Sequence, residues 1–234
     1  MTFLQIALAP VIAILIYFYW RDKYEKEPLK LLAKAFFCGI LITIPVIFVE
    51  LFFSLILSGI SSFFLAIFLK SFLVAGLTEE FAKFIVFKSL IYKNTEFDEP
   101  YDAIIYAVMI SLGFAAFENI IYVFGAYVKM GALVGLTTGF MRAIFSVPAH
   151  AFFGVIMGYF FGLARFSRSK KLEVKYIYAG LFFAIAMHGF YDFFLFTKAV
   201  IGIICMVLTF AACGFFALKA IKLHLASSPF NHNE

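Results

Sequence analysis

Seven stretches of this sequence are apolar for long enough to cross a bilayer. A membrane-spanning helix needs about 20 predominantly apolar residues. Runs of that kind cover 3–20, 31–57, 63–90, 102–128, 132–164, 176–197 and 199–222. A soluble fold has no interior large enough for them. Of the 234 residues, 65% are hydrophobic and 14% charged, against roughly half and a quarter in soluble domains. The pattern predicts an all-α, polytopic membrane helix bundle of about seven spans. It forms one transmembrane domain over 1–222, with a short cytoplasmic tail at 223–234 that holds His224 and His232.

The first apolar run has no basic segment before it and ends in Tyr-Phe-Tyr-Trp rather than in small residues. It reads as a retained helix, not a cleaved signal. Pro45 and Pro148 are expected kink sites. The stretch 58–69 reads as a spanning or an interfacial piece, with Lys70 at the true start of the third span. Cys38, Cys205 and Cys213 lie in apolar runs without metal-ligand spacing and read as small core residues. The glycines at 113, 125, 154, 158 and 162 read as close helix packing.

Loop charges set orientation. Arg21, Lys23, Lys26, Lys30 and Lys34 follow the first span, Lys88 and Lys93 the third, Arg165 to Lys175 the fifth, and Lys219 and Lys222 close the seventh. The other side holds Lys129 and Lys198, with Lys70 at its boundary. This asymmetry predicts an N-terminus outside and a C-terminus inside. The basic residues are divided among loops rather than gathered on one face, which argues against a nucleic-acid footprint.

Eight ionisable groups break the rule that a span carries no charge: Glu79, Glu80, Lys83, Glu118, Arg142, His150, His188 and Asp192. Each charged group at mid-bilayer costs roughly 2.5–3.5 kcal/mol on insertion scales. So many of them predict a single polar site facing the bundle interior. Glu79 and Lys83 are four residues apart, as are Glu118 and Tyr122, and His188 and Asp192, so each pair shares a helix face. Counted from the outer lysines, Glu79, Glu118 and His188 lie at about one depth, roughly 13–17 Å in. His150 counts deeper. Four carboxylates stand against Lys83 and Arg142, an excess that calls for protons shared with histidines, as general acid–base chemistry uses. Glu50 reads as a boundary residue of the second span.

These residues fall into motifs. "EEFAK" (79–83), "FENIIY" (117–122), His150 and "HGFYD" (188–192) follow one another in the order of an EExxK, FExxxY, His and HxxxD series. The segment 17–39 carries an Asp-x-x-Glu-x-Glu-Pro pattern at Asp22 to Pro28. Over nearly the whole chain the sequence resembles the PrsW proteases, grouped with the CAAX-processing type II endopeptidases. The resemblance implies an intramembrane endopeptidase of the cell membrane acting on a membrane-anchored protein, as in the first cut of an anti-sigma factor. It implies catalytic roles for Glu79, Glu80, His150, His188, Glu118 and Asp192, with Lys83, Tyr122 and Arg142 in support. Glu79 or Glu80 would activate a water, a histidine would hold that water or donate to the oxyanion, and Asp192 would orient His188.

Resemblance to the CAAX-type enzymes implies a water site with no metal cofactor. Zinc on Glu79, Glu80, His150 and His188 is the competing reading, since two histidines with glutamates suit that ion, although the His-Glu-x-x-His spacing is missing. Two non-proteolytic readings stand beside these. Intramembrane Glu, His and Lys also mark proton-coupled transporters and channels, though no internal repeat is visible here. A non-catalytic scaffold of the same superfamily is the other.

Overall fold

The computed structural model describes residues 3–231; His232 lies outside the described residues. These residues form seven continuous helical rods and no strand. The first two rods are α1 (Phe3–Arg21) and α2 (Leu29–Leu57). The third begins as α3 (Phe63–Leu69), passes through a π-helical stretch, Lys70–Leu77, and continues as α4 (Thr78–Leu90). Then come α5 (Pro100–Met130) and a fifth rod built alike, with α6 (Ala132–Met141), a π-helical stretch Arg142–Ser146 and α7 (Val147–Arg165). The last two are α8 (Lys170–Phe196) and α9 (Val200–Ala226). Six rods are long and apolar enough to cross a membrane. The α3–α4 rod is not among the six, because Lys70, Glu79, Glu80 and Lys83 dilute its apolar character.

The middle of the bundle is α5. Within its apolar window 78% of residues are buried, against 11% for α2. It packs most heavily on α7, then on α2, α6 and α1. Small residues make this possible. A Cβ on Gly39 would strike the Ile110 carbonyl, and one on Gly113 would strike the Phe36 carbonyl, so α2 and α5 touch backbone to backbone. On α7, Gly154 and Gly158 press on Ala107 and Ala103 of α5 in the same way. Without a hydrophobic drive between helices in lipid, such contacts hold a bundle together. Gly125, expected in a helix contact, faces open space.

Segment 17–39 closes the end of the bundle at which α5 begins. Asp22, Glu27, Glu99 and Asp102 are all buried there. The Asp22 carboxylate accepts the Glu27 amide at 3.0 Å, and the Tyr106 hydroxyl donates to Glu27. Asp102 accepts the amides of Asp98 (3.0 Å) and Glu99 (2.8 Å), which completes a capping box on α5 with Pro100 in its first turn. Ser228, past the end of α9, donates to Glu99. His224, expected in a tail, is instead buried in α9. Its Nδ1–H donates to the Pro100 carbonyl at 2.8 Å, and its ring stacks on Tyr159 at 4.7 Å. The helical period carries on to Ala226 and brings that face onto α5 and α7.

Candidate active site

Both π-helical stretches end just before a site residue, and that placement shapes the centre. A π turn closes i→i+5 and inserts an extra residue into a helix, often at functional sites. Lys70–Leu77 leads into Glu79 and Glu80 on α4, and Arg142–Ser146 leads into His150 on α7. The straight-helix depth count for His150 does not hold in the folded bundle. The structure brings it level with the others: its Nδ1 is 3.2 Å from Lys83 Nζ and its Nε2 is 3.0 Å from Glu118 Oε2.

Four rods converge. From α4, Lys83 Nζ donates to Glu80 Oε1 at 2.7 Å and to Glu79 Oε2 at 3.2 Å, and it lies 4.4 Å from the centre of the Phe114 ring. From α8, His188 Nδ1 meets the same Glu80 oxygen at 2.9 Å. Its Nε2 is 3.6 Å from Asp192 and 4.0 Å from Glu79 Oε1. The His188 ring stacks on Phe153 at 4.8 Å. From α5, Glu118 Oε2 accepts from Arg142 Nη2 at 2.9 Å as well as from His150. Glu79, Glu80, Lys83, His150 and His188 are all buried; Glu118, Asp192 and Arg142 are partly open.

The contacts define the two imidazoles. An ammonium only donates, so His150 Nδ1 accepts from Lys83 and Nε2–H donates to Glu118. Both of its nitrogens are thereby engaged. His188 gives Nδ1–H to Glu80 and leaves Nε2 facing Glu79 and Asp192. The two glutamates also part. Glu79 lines a cavity of about 670 Å³ together with Glu118, Tyr122, Arg142, His150, His188 and Asp192. Glu80 lies behind that wall, fully buried, its Oε1 shared by Lys83 and His188 and its Oε2 without a partner.

Tyr122, expected in a supporting role, stands at the rim of the cavity, 53% exposed. Its ring carries the Arg142 guanidinium, 4.3 Å away, a cation–π contact. Two residues were absent from the expected set. Asn119 accepts from Arg142 Nε at 2.7 Å and donates to the Ala7 carbonyl at 2.6 Å, fixing Arg142 and tying α1 to the site. A lone asparagine beside Glu118 carries no sequence signal of its own. Glu50 of α2, taken as a boundary residue, lines the cavity.

Fold and site together define a polytopic membrane protein with a buried carboxylate–histidine centre open to an internal cavity. Its relatives make that class specific. The profile of the "PrsW family intramembrane metalloprotease" matches residues 27–217. The Protease PrsW of Geobacillus kaustophilus is 39% identical over 82% of this chain and 78% of its own length. That of Bacillus subtilis is 39% identical over 80% of each. That of Halalkalibacterium halodurans is 32% identical over 94% of this chain and 95% of its own. The chain belongs to the PrsW family. It is a multi-pass protease of the bacterial cell membrane, with a protein as its substrate. No solved structure matches it.

Proposed function

We propose that this protease cuts a membrane-anchored protein with a water activated by Glu79. The observation that supports this is the division between the two glutamates: Glu79 faces the cavity, while Glu80 sits behind it, held by Lys83 and His188. Glu79 Oε1 and His188 Nε2 are 4.0 Å apart, a separation that one water bridges. As an imidazolium among three carboxylates, His188 keeps Nδ1–H on Glu80 and turns Nε2–H to the cavity. Glu79 takes a proton from the water, whose oxygen bonds to the scissile carbonyl carbon. His188 Nε2–H meets the oxyanion, the charge that such a site must stabilise. Glu79 then returns the proton to the leaving nitrogen as the C–N bond breaks. Asp192 orients His188. His150 positions Lys83 and Glu118, and Arg142 on its Tyr122 ring balances Glu118.

The donor set supports a second reading. Glu79, Glu80 and His188 offer ligand atoms within 4.8 Å of one another, and Glu80 Oε2 is buried without a partner. Two carboxylates and an imidazole fit zinc with a position left open. These three residues would hold the ion, which when bound supplies a more acidic water and a polarised carbonyl. His150 stands outside this set, its nitrogens turned to Lys83 and Glu118. Family resemblance supports an anti-sigma factor as the kind of substrate, and the loop charges support an N-terminus outside and a C-terminus inside.

The test is cleavage of single-span membrane peptides by the reconstituted protein. Cutting that survives chelation and is lost in Glu79→Gln supports the glutamate reading. Cutting lost on chelation and restored by zinc supports the zinc reading. A Glu79→Gln protein that cuts as fast as the wild type overturns both.

A further inference from the structure

Glu50 has no counter-charge. It stands on α2, about 10 Å before that helix ends at Leu57. It lines the same cavity as Glu79, Glu118, His188 and Asp192. Every other acid around that cavity has a partner. Lys83 serves Glu79 and Glu80, Arg142 serves Glu118, and His188 serves Asp192. Among the described residues, Glu50 has neither a hydrogen bond nor a cation within salt-bridge reach. A carboxylate inside a span is neutralised by a proton or by a cation, and one the protein leaves unpaired marks a ligand or ion path. On the proteolytic reading, this cavity is the path by which a peptide reaches Glu79.

We propose that Glu50 is a specificity residue that receives a Lys or Arg side chain of the substrate. The proposal rests on the proteolytic reading of the cavity and adds the chemical class of residue it selects. Glu50 is closer than Glu79 to the turn between α2 and α3, so the basic residue lies on that side of the scissile bond, within about four extended residues at 3.3–3.6 Å each. Lys70 and Lys129 also line the cavity. They repel a basic residue placed elsewhere, which makes the preference depend on position. An acid in the cavity with no cation of its own is thus completed by the substrate, and a neutral side chain at that place leaves it unpaired. Specificity of this kind comes as much from rejecting the wrong residue as from holding the right one.

Binding can be read separately from cutting. The Glu79→Gln protein in liposomes is given fluorescent single-span peptides with a Leu/Ala core, in which one Lys, Gln or Glu is walked along the span. At one or two adjacent positions, the Lys peptide binds roughly tenfold to a hundredfold tighter than its Gln counterpart. Adding Glu50→Gln brings that ratio to about one, and adding Glu50→Lys turns the preference toward the Glu peptide. With Glu79 restored, the kcat/KM ratio for Lys and Gln peptides follows the same pattern through KM. Equal binding of Lys and Gln peptides at every position overturns the proposal. So does a preference that persists in Glu50→Gln, or a Glu50→Gln protein that loses kcat equally on all peptides, which would make Glu50 part of the proton traffic. If no peptide is cut even with Glu79 present, the proteolytic reading fails for these substrates, while the binding ratios still decide the role of Glu50.

Discussion

Two clusters of buried carboxylates lie about 24 Å apart along α5, one around Glu118 and one around Asp102, and they are held in opposite ways. At the site, carboxylates meet cations and imidazoles: Lys83 spans Glu79 and Glu80, and Arg142 grips Glu118. At the far end, Asp22, Glu27, Glu99 and Asp102 form no salt bridge among the described residues. Backbone amides and the hydroxyls of Tyr106 and Ser228 hold them. Burial pushes Glu27 and Glu99 up to about 7, although the Tyr106 and Ser228 hydroxyls pull the other way. Burial also raises Asp22. Buried charge therefore has two uses here. Where ions are paired and one face is open, the cluster stands against a cavity, as the proposed proton transfer to and from Glu79 requires. Where acids are closed in and neutralised, it is a latch joining the α1–α2 turn, the start of α5 and the end of α9.

The sharpest way to break this comparison is to remove one charge from the site. Glu79→Gln should lower cleavage by on the order of a thousandfold or more, with a melting temperature close to wild type, as read by peptide cleavage and thermal unfolding in detergent. Lys83→Met should strand two buried carboxylates and destabilise the protein by about 3–5 kcal/mol, seen as a large fall in melting temperature with activity lost. A variant as stable as wild type would mean that the site is not held by ion pairing.

The latch should answer to pH instead. Glu27 and Glu99 have an ordinary value of 4.5 and stand at about 7 in the folded protein, so the native state binds more protons between those values. Their contribution to stability is full below about 4.5 and is lost as pH rises through about 7. Melting temperature should fall by about 10 °C between pH 5 and pH 8. The smallest effect is expected from Glu27→Gln and Glu99→Gln. Each should change stability at pH 5 by less than about 1 kcal/mol, because a neutral amide stands in for a neutral acid, and together they should flatten the pH slope. An unchanged slope would remove the distinction between the two clusters.

Residue types and spacing alone determined that this chain is a helical membrane bundle, that its rods begin and end near the expected residues, and that Glu79/Lys83 and His188/Asp192 meet as pairs. Apolar length and the four-residue face of a helix are local properties, and they survive whatever the rods pack against. Tertiary structure decided the rest. The rotation of α4 turned Glu79 to the cavity and Glu80 away from it, a choice that two adjacent glutamates do not encode. The seating of α7 against α5 and α4 set His150 level with Glu118 and Lys83, where a straight-helix count put it deeper. Glu50 became a cavity residue because α2 leans on α5 through Gly39 and Gly113. His224 left the tail for the core because α9 packs to its end. In each case the deciding quantity is how one helix is turned and seated against another, set by contacts between residues far apart in the chain, beyond the reach of local spacing.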